Sequence, residues 1–141
     1  MTLYAESSAV LAWLLGEPTA AAVAAPLRSA ELIVASDLTW IECHRVLVRA
    51  VALAECGAED AARRSALLRR AAAGWRRLRL SAAISRRARQ PFPAEPLRTL
   101  DAIHLASALA ARATLGEVEL LSLDDRVRRA GAALGFRLLP G

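Results

Sequence analysis

Short apolar runs alternate with longer helix-patterned stretches along the whole chain, and that alternation restricts the fold more than any other feature. "TLYA" (2–5) has the make-up of a short strand. "SAVLAWLL" (8–15) follows as a helix, with Ser7 or Ser8 placed to cap it. "TAAAVAAPLRS" (19–29) is a second helix, disturbed by Pro26. "ELIVAS" (31–36) is apolar and β-branched at its centre, the pattern of a buried strand. A helical pattern runs from Asp37 to about Cys56, where Gly57 is suited to end it, and another runs from Ala58 to Ala73. Gly74 leads into "WRRLRL" (75–80), which alternates like a strand. Three prolines in "RQPFPAEP" (89–96) mark a loop. Beyond it the pattern gives a helix from "TLDAIHLASALAA" (99–111), a strand "EVELLSL" (117–123), a helix "DRVRRAGAAL" (125–134) and a last strand "FRLL" (136–139). Strands that alternate with helices pair mostly in parallel and take helices on both faces of the sheet. The expected class is α/β. With 141 residues, no tandem repeat and no long linker, a single domain over 1–141 is expected.

Composition narrows the function. Hydrophobic residues make up 55% of the chain, too many for a disordered one, and their alanine bias with only 4% aromatics points to a tight, helix-rich core. The net charge is +5 with a pI near 10.8, a balance suited to a polyanionic partner. All of the basic residues other than histidine are arginine. The missing lysine excludes a phosphate loop of the Gly-Lys type and any Schiff base. No uncharged run exceeds ten residues, so no membrane span is expected, and the N-terminus lacks the pattern of a signal peptide. Cys43 and Cys56 are expected as reduced thiols in a cytoplasmic protein. A zinc site from Cys43, His44, Cys56 and His104 has no ligand-pair spacing behind it.

Ligands of open α/β sheets bind beyond the carboxyl ends of the strands. Glu6 follows the first strand, Asp37 and Glu42 follow the second, Asp124 follows the strand ending near Ser122, and Asp101 opens a helix after the proline loop. Each also has a plain structural explanation. Asp101 lies two positions after Thr99, a natural N-cap, and suits the helix dipole. Asp124 is itself a candidate N-cap, Thr39 and Glu42 have the spacing of a capping box, and Glu6 would serve as a solvated strand end. Taken together the acids imply more. Several carboxylates at one sheet edge repel one another unless a cation neutralises them, and oxygen-only ligands suit Mg²⁺ or Mn²⁺. Such an ion keeps waters, one of which can be activated to attack a phosphodiester. An acidic metal pocket within a basic protein is an arrangement for cutting nucleic acid, with arginines holding the phosphates.

At these same positions the sequence resembles a known family. "LYAESSAVLAWLLGEP" is similar to the opening of PIN domains, in particular the VapC-like toxins of type II toxin–antitoxin pairs. "SDLTWIECHRVLVRA" resembles their second acidic motif and places Glu42, while "LRTLDAIHLASALA" resembles their third and places Asp101. "LLSLDDRVRRAGAALGFRLLP" is similar to their closing segment, with Ser122 and Asp124 in the functional positions. The resemblance runs along the whole chain in order. It implies a three-layer α/β/α fold with a parallel sheet of order 3-2-1-4-5. It also implies Mg²⁺- or Mn²⁺-dependent RNA cleavage with in-line displacement and no covalent intermediate, a homodimer, and a cognate antitoxin that blocks the site. The implied metal carboxylates are Glu6, Glu42, Asp101 and Asp124. The first motif departs from the family, whose usual residue there is aspartate. Glutamate adds one methylene, about 1.5 Å of reach, and on this basis Glu6→Asp is expected to preserve or raise activity.

Other residues complete the picture. Ten of the nineteen arginines fall between Arg63 and Arg89 with no acid among them. They form either a solvated helix face with a protected edge strand or an RNA-steering patch, for which Arg69 and Arg70 are the candidates. Ser7 and Ser122 either bind substrate phosphate or a water on the metal, or simply cap helices. His104 shares a helix face with Asp101 and is expected as a packed, hydrogen-bonded residue. Trp13, Trp40 and Trp75 are expected as core or interface anchors rather than a base-stacking platform. Two rivals to the nuclease stand: a catalytically degenerate module that binds RNA or a partner, and a phosphatase acting on small esters.

Overall fold

Side chains on a strand alternate between faces, so a strand buried on both sides must be apolar throughout. The central strands satisfy this. A computed structural model describes residues 1–141, and in it β1 (Thr2–Ala5), β2 (Leu32–Ser36), β3 (Arg76–Leu78), β4 (Glu119–Leu121) and β5 (Leu138–Leu139) form one parallel sheet of order β3-β2-β1-β4-β5. Tyr4 stands in register with Val34 and Leu120, and these three enter one core with Leu105, Ala108 and Val127. Their neighbours Leu3, Ala5, Ile33 and Leu121 turn to the opposite face.

The helices divide accordingly. α1 (Ser7–Leu14), α2 (Ala20–Ser29), α3 (Asp37–Ala52) and α4 (Ala58–Ala72) pack among themselves over one face. α5 (Ala82–Ala88), α6 (Thr99–Leu115) and α7 (Asp125–Ala133) cover the other. This is the three-layer α/β/α arrangement with the strand order that the family resemblance implied. No helix is long and apolar enough to cross a membrane.

Several boundaries differ from the sequence reading. α3 stops at Ala52, because Ala54 takes a left-handed φ of 56° and Gly57 serves as the N-cap of α4, not as the end of α3. Pro26 lies buried inside α2, which continues through it to Ser29. The edge strand β3 keeps only three of the six residues expected, since it has one neighbour and little to bury. The helix α5 is an addition; its seven residues bury only Ile84, too little to leave a periodic pattern. α6 runs on to Leu115, where Gly116 at φ 86° ends it.

The sheet order reverses direction between β1 and β4, the place where open α/β sheets hold their ligands. Glu6 leaves β1 there and Ser122 leaves β4 beside it.

Candidate active site

The site is assembled around one buried carboxylate. Glu6 sits in extended backbone between β1 and α1, 4% exposed, and it, not Ser7 or Ser8, caps α1. Its Oε1 accepts the Ser8 N–H at 3.1 Å and the Ser7 hydroxyl at 2.8 Å. Its Oε2 accepts the Ser122 hydroxyl at 2.8 Å and also the Ser8 hydroxyl. Ser8 Oγ in turn accepts the N–H groups of Leu123 (2.9 Å) and Asp124 (3.1 Å). The turn after β4 is therefore stitched to the start of α1. This fixes Asp124 as the N-cap of α7, with Oδ1 accepting from Arg126 N–H (2.9 Å) and Val127 N–H (3.0 Å).

Glu42 reaches the same place from α3. Ser36 caps that helix, and Thr39 donates to the Ala5 carbonyl at 3.2 Å, so no capping box forms with Glu42. One turn further on, Glu42 Oε1 accepts from His104 Nε2 at 2.7 Å and lies 2.9 Å from Ser7 Oγ, whose single proton Glu6 and Glu42 share. In the tautomer that donates from Nε2 to Glu42, His104 Nδ1 is the acceptor for the Tyr4 hydroxyl at 3.0 Å. Both rings are buried. Burial raises the Tyr4 phenol well above its usual range, and the Glu6 and Glu42 charges push the same way. Burial likewise pushes the Cys43 thiol, next to Glu42, up to about 12.

Asp101 comes from α6. Arg98, not Thr99, is the N-cap, and Asp101 Oδ2 accepts the Arg98 N–H at 3.0 Å. The Arg98 guanidinium then bridges two acids: Nε lies 3.5 Å from Asp101 Oδ2 and Nη2 lies 3.5 Å from Asp124 Oδ2. Glu6, Glu42, Asp101 and Asp124 all line one cleft of about 510 Å³, together with Ser7, Ser8, Arg98 and His104.

Other sequence candidates fall elsewhere. Asp37 turns toward Arg77 at 3.7 Å. Ser122 is fully buried beneath the cleft. Arg69 and Arg70 are exposed at the last turn of α4 and do not line the cleft. Arg98 and Tyr4 are the residues that sequence reasoning passed over, and Ser8 was read only as a possible helix cap. Ser8 carried a signal, being one of two hydroxyls after the first acid; an arginine at an N-cap carried none.

The donor set suits a hard divalent cation, since every cleft-facing acid offers oxygen and no thiol is among the lining groups. The four acids differ in what they have to offer. Both oxygens of Glu6 are engaged by hydroxyls and an amide. Glu42 Oε2 and Asp101 Oδ1 accept nothing from the chain, and Asp124 Oδ2 meets only Arg98. As the side chains stand, Glu6, Glu42 and His104 meet through hydrogen bonds around Ser7, no three acidic, thiol or imidazole groups are arranged to hold a metal ion, and Arg98 supplies the positive charge between Asp101 and Asp124.

Comparison with known proteins agrees with this construction. The PIN domain family model matches residues 3–133. Ribonuclease VapC46 of Mycobacterium tuberculosis (strain ATCC 25618 / H37Rv) is 36% identical over 137 residues, covering 97% of this chain and 95% of the relative. Among solved structures, the sarcin-ricin-loop-cleaving toxin VapC20 of Mycobacterium tuberculosis is similar with a TM-score of 0.64 at 17% identity, over 95% of each chain. VapBC2 of Rickettsia felis, bound to a DNA fragment from their promoter, gives 0.62 at 11% identity, over 98% of this chain and 97% of that one. A toxin–antitoxin complex from Klebsiella pneumoniae gives 0.58 at 22% identity, over 88% of this chain and 87% of that one. These structural likenesses carry the fold. The family model and the VapC46 alignment, each spanning nearly the whole length, show that the chain belongs to the PIN-domain family, in its VapC-like branch.

Proposed function

We propose that the protein is a divalent-metal-dependent endoribonuclease and the toxin of a type II toxin–antitoxin pair, with an antitoxin protein as its partner. The reading includes a single domain over 1–141, a homodimer and a cytoplasmic setting. The observation that carries it is the cleft itself: four carboxylates from four separate elements face one space, and a lone guanidinium balances two of them. The relation to VapC46, a ribonuclease, supports the same chemistry.

Asp101, Asp124 and Glu42 are the groups to hold Mg²⁺ or Mn²⁺, because each presents an oxygen that no other part of the chain hydrogen-bonds. When bound, such an ion supplies Lewis acidity toward a phosphodiester and a nucleophile at neutral pH. Glu6 acts as a positioning residue, holding Ser7, Ser8 and Ser122 and through them the Asp124 turn. His104 and Tyr4 fix the Glu42 carboxylate by one oxygen, so that Oε2, the oxygen offered to the ion, is held in place beforehand. Arg98 is half free of its neighbours and is the cation to receive the scissile phosphate.

The test is incubation of the purified protein, free of antitoxin, with total RNA in Mg²⁺, Mn²⁺ or chelator, beside Asp101→Asn. Metal-dependent cuts that disappear in the variant support the proposal. RNA binding without cuts would assign the second reading, a non-catalytic RNA-binding module. One observation favours that reading: Glu6 replaces the usual aspartate and has both oxygens already engaged.

A further inference from the structure

On the far side of Arg98 a second concavity opens, about 670 Å³, between α5, the proline loop and the first turns of α6. Arg98 and Thr99 line both this groove and the carboxylate cleft, so the two adjoin across these residues. Its walls are mixed. Leu80, Phe92 and Ile103 give apolar surface, and Ser85, Gln90 and Arg89 give polar groups. Leu80 is largely exposed, an uncovered apolar side chain at the groove edge.

The charge around the groove is one-sided. Arg89 donates only to the Ser85 carbonyl, at 3.3 Å, and forms no ion pair. Arg87 lies over the Phe92 ring at 4.0 Å and donates to the Pro91 carbonyl; Arg86 is exposed on the same helix. The one carboxylate in the lining, Glu95, is consumed by the loop, accepting the N–H groups of Phe92 (3.3 Å) and Leu97 (2.9 Å). A ligand that fits must carry negative charge toward Arg89 and Arg98 and a flat apolar part toward Leu80 and Ile103. Its length must also continue into a cleft built to cut phosphodiesters. Single-stranded nucleic acid has all three properties, because its unstacked bases offer a π-face for each phosphate. The volume is within the range of sites that enclose small ligands.

Resting on the ribonuclease reading, we propose that this groove is a substrate subsite. It holds the one or two single-stranded RNA nucleotides that flank the scissile phosphate on one side, with phosphate on Arg89 and a base against Leu80 and Ile103. Gln90 and Ser85 are placed to meet base edges. The groove thereby selects an unpaired segment of RNA over a continuous duplex, whose stacked bases cannot enter.

The test measures binding of labelled single-stranded oligoribonucleotides by fluorescence anisotropy, with chelator present so that no strand is cut. The oligonucleotides are shortened one nucleotide at a time from either end. The proteins are the wild type, Arg89→Glu and Leu80→Asp; both positions are exposed, and thermal melts check that the fold is kept. For the longest strands, each variant is expected to bind about tenfold more weakly, and Arg89→Glu to flatten the salt dependence. Removing the groove nucleotides from one end should bring wild type and variants to the same affinity, while trimming the other end should not. Equal losses at every length, no loss at all, or preferential binding of an acidic peptide at the groove would overturn the subsite. The two proposals separate cleanly. RNA cut by the wild type with no length-dependent variant effect sinks only the subsite. Length-dependent binding without cleavage in any metal sinks only the nuclease.

Discussion

Tyr4 is the single tyrosine of the chain, so its ionisation can be followed without interference from another phenol. It is fully buried under α6, with its hydroxyl on His104 and two carboxylates nearby. Burial first, and the charges of Glu6 and Glu42 after it, raise its pKa above the ordinary value of 10.0. Cys43 is raised from 9.0 to about 12 by burial and the same two carboxylates. Both groups therefore hold their protons more tightly folded than unfolded. Their contribution to stability is fully present below pH 9. It is lost as the pH climbs, from 9 toward 12 for the thiol and above 10 for the phenol. Each pH unit beyond the unfolded value removes roughly 1.4 kcal/mol per group, so at pH 11 the thiol, about two units past, and the phenol, about one unit past, together cost on the order of 4 kcal/mol. A domain of this kind has about 5–15 kcal/mol in total. In an alkaline titration with chelator present, the phenolate band should stay absent while far-UV circular dichroism is native, then rise together with unfolding. Tyr4→Phe should abolish the band, and Cys43→Ala should remove the part of the stability loss that begins near pH 9. A reversible phenolate titration centred near pH 10 with the helices intact would refute the reasoning, because it would mean that the hydroxyl meets water in the folded state.

Arg98→Ala should bind Mn²⁺ about three- to tenfold more tightly, since the substitution removes a partly exposed guanidinium from two carboxylates at a cost typical of surface ion pairs; calorimetric titration that finds unchanged or weaker binding would show no competition. Glu6→Asp should lower RNase activity at least tenfold and cost about 1 kcal/mol, because the shorter side chain cannot span from the Ser8 N–H to Ser122. Assays of cleavage and thermal stability check this, and retained activity would restore the outcome expected from the sequence. Gly131→Ala should destabilise by about 1–2 kcal/mol despite the better helix former, because a Cβ there would stand 2.5 Å from Leu120 Cδ2 and 3.2 Å from Leu138 Cδ2; a melting temperature equal to or above wild type would show that the leucines give way freely.

What could be read from the sequence was what depends on local pattern. Alternating apolar runs and helices imply a parallel sheet with helices on both faces, and the family motifs supplied its strand order. The four carboxylates were also legible, because strand ends and helix starts can be located without knowing which elements touch. Three features could not be found this way. The His104 partners, Tyr4 and Glu42, lie 100 and 62 residues away, so their meeting is a product of tertiary packing. Arg98 looks like any other arginine until the turn of α6 places it between two acids. α5 is short and buries only Ile84, so it leaves no periodic pattern, whereas β3 was expected from its alternation over 75–80 and only its length was overstated.

The structural and the chemical explanations of the acidic residues first stood as alternatives, and the structure shows why they need not be. A carboxylate has two oxygens. Asp101 gives Oδ2 to its own helix start and leaves Oδ1 without a partner in the chain; Asp124 gives Oδ1 to α7 and leaves Oδ2 beside Arg98. Capping fixes the orientation of each side chain before any ligand arrives, and like charges are kept close because amides and hydroxyls share the load. This has a measurable consequence at Asp101. Asparagine keeps an oxygen for the Arg98 N–H but loses the charge, whereas alanine loses both. Asp101→Asn should therefore melt within a degree or two of wild type, and Asp101→Ala should be about 1 kcal/mol less stable. Mn²⁺ binding and RNA cleavage should fall to background in both. Equal stability in the two variants would separate the cap from the carboxylate, and retained metal binding in Asp101→Asn would remove this residue from the ligand set.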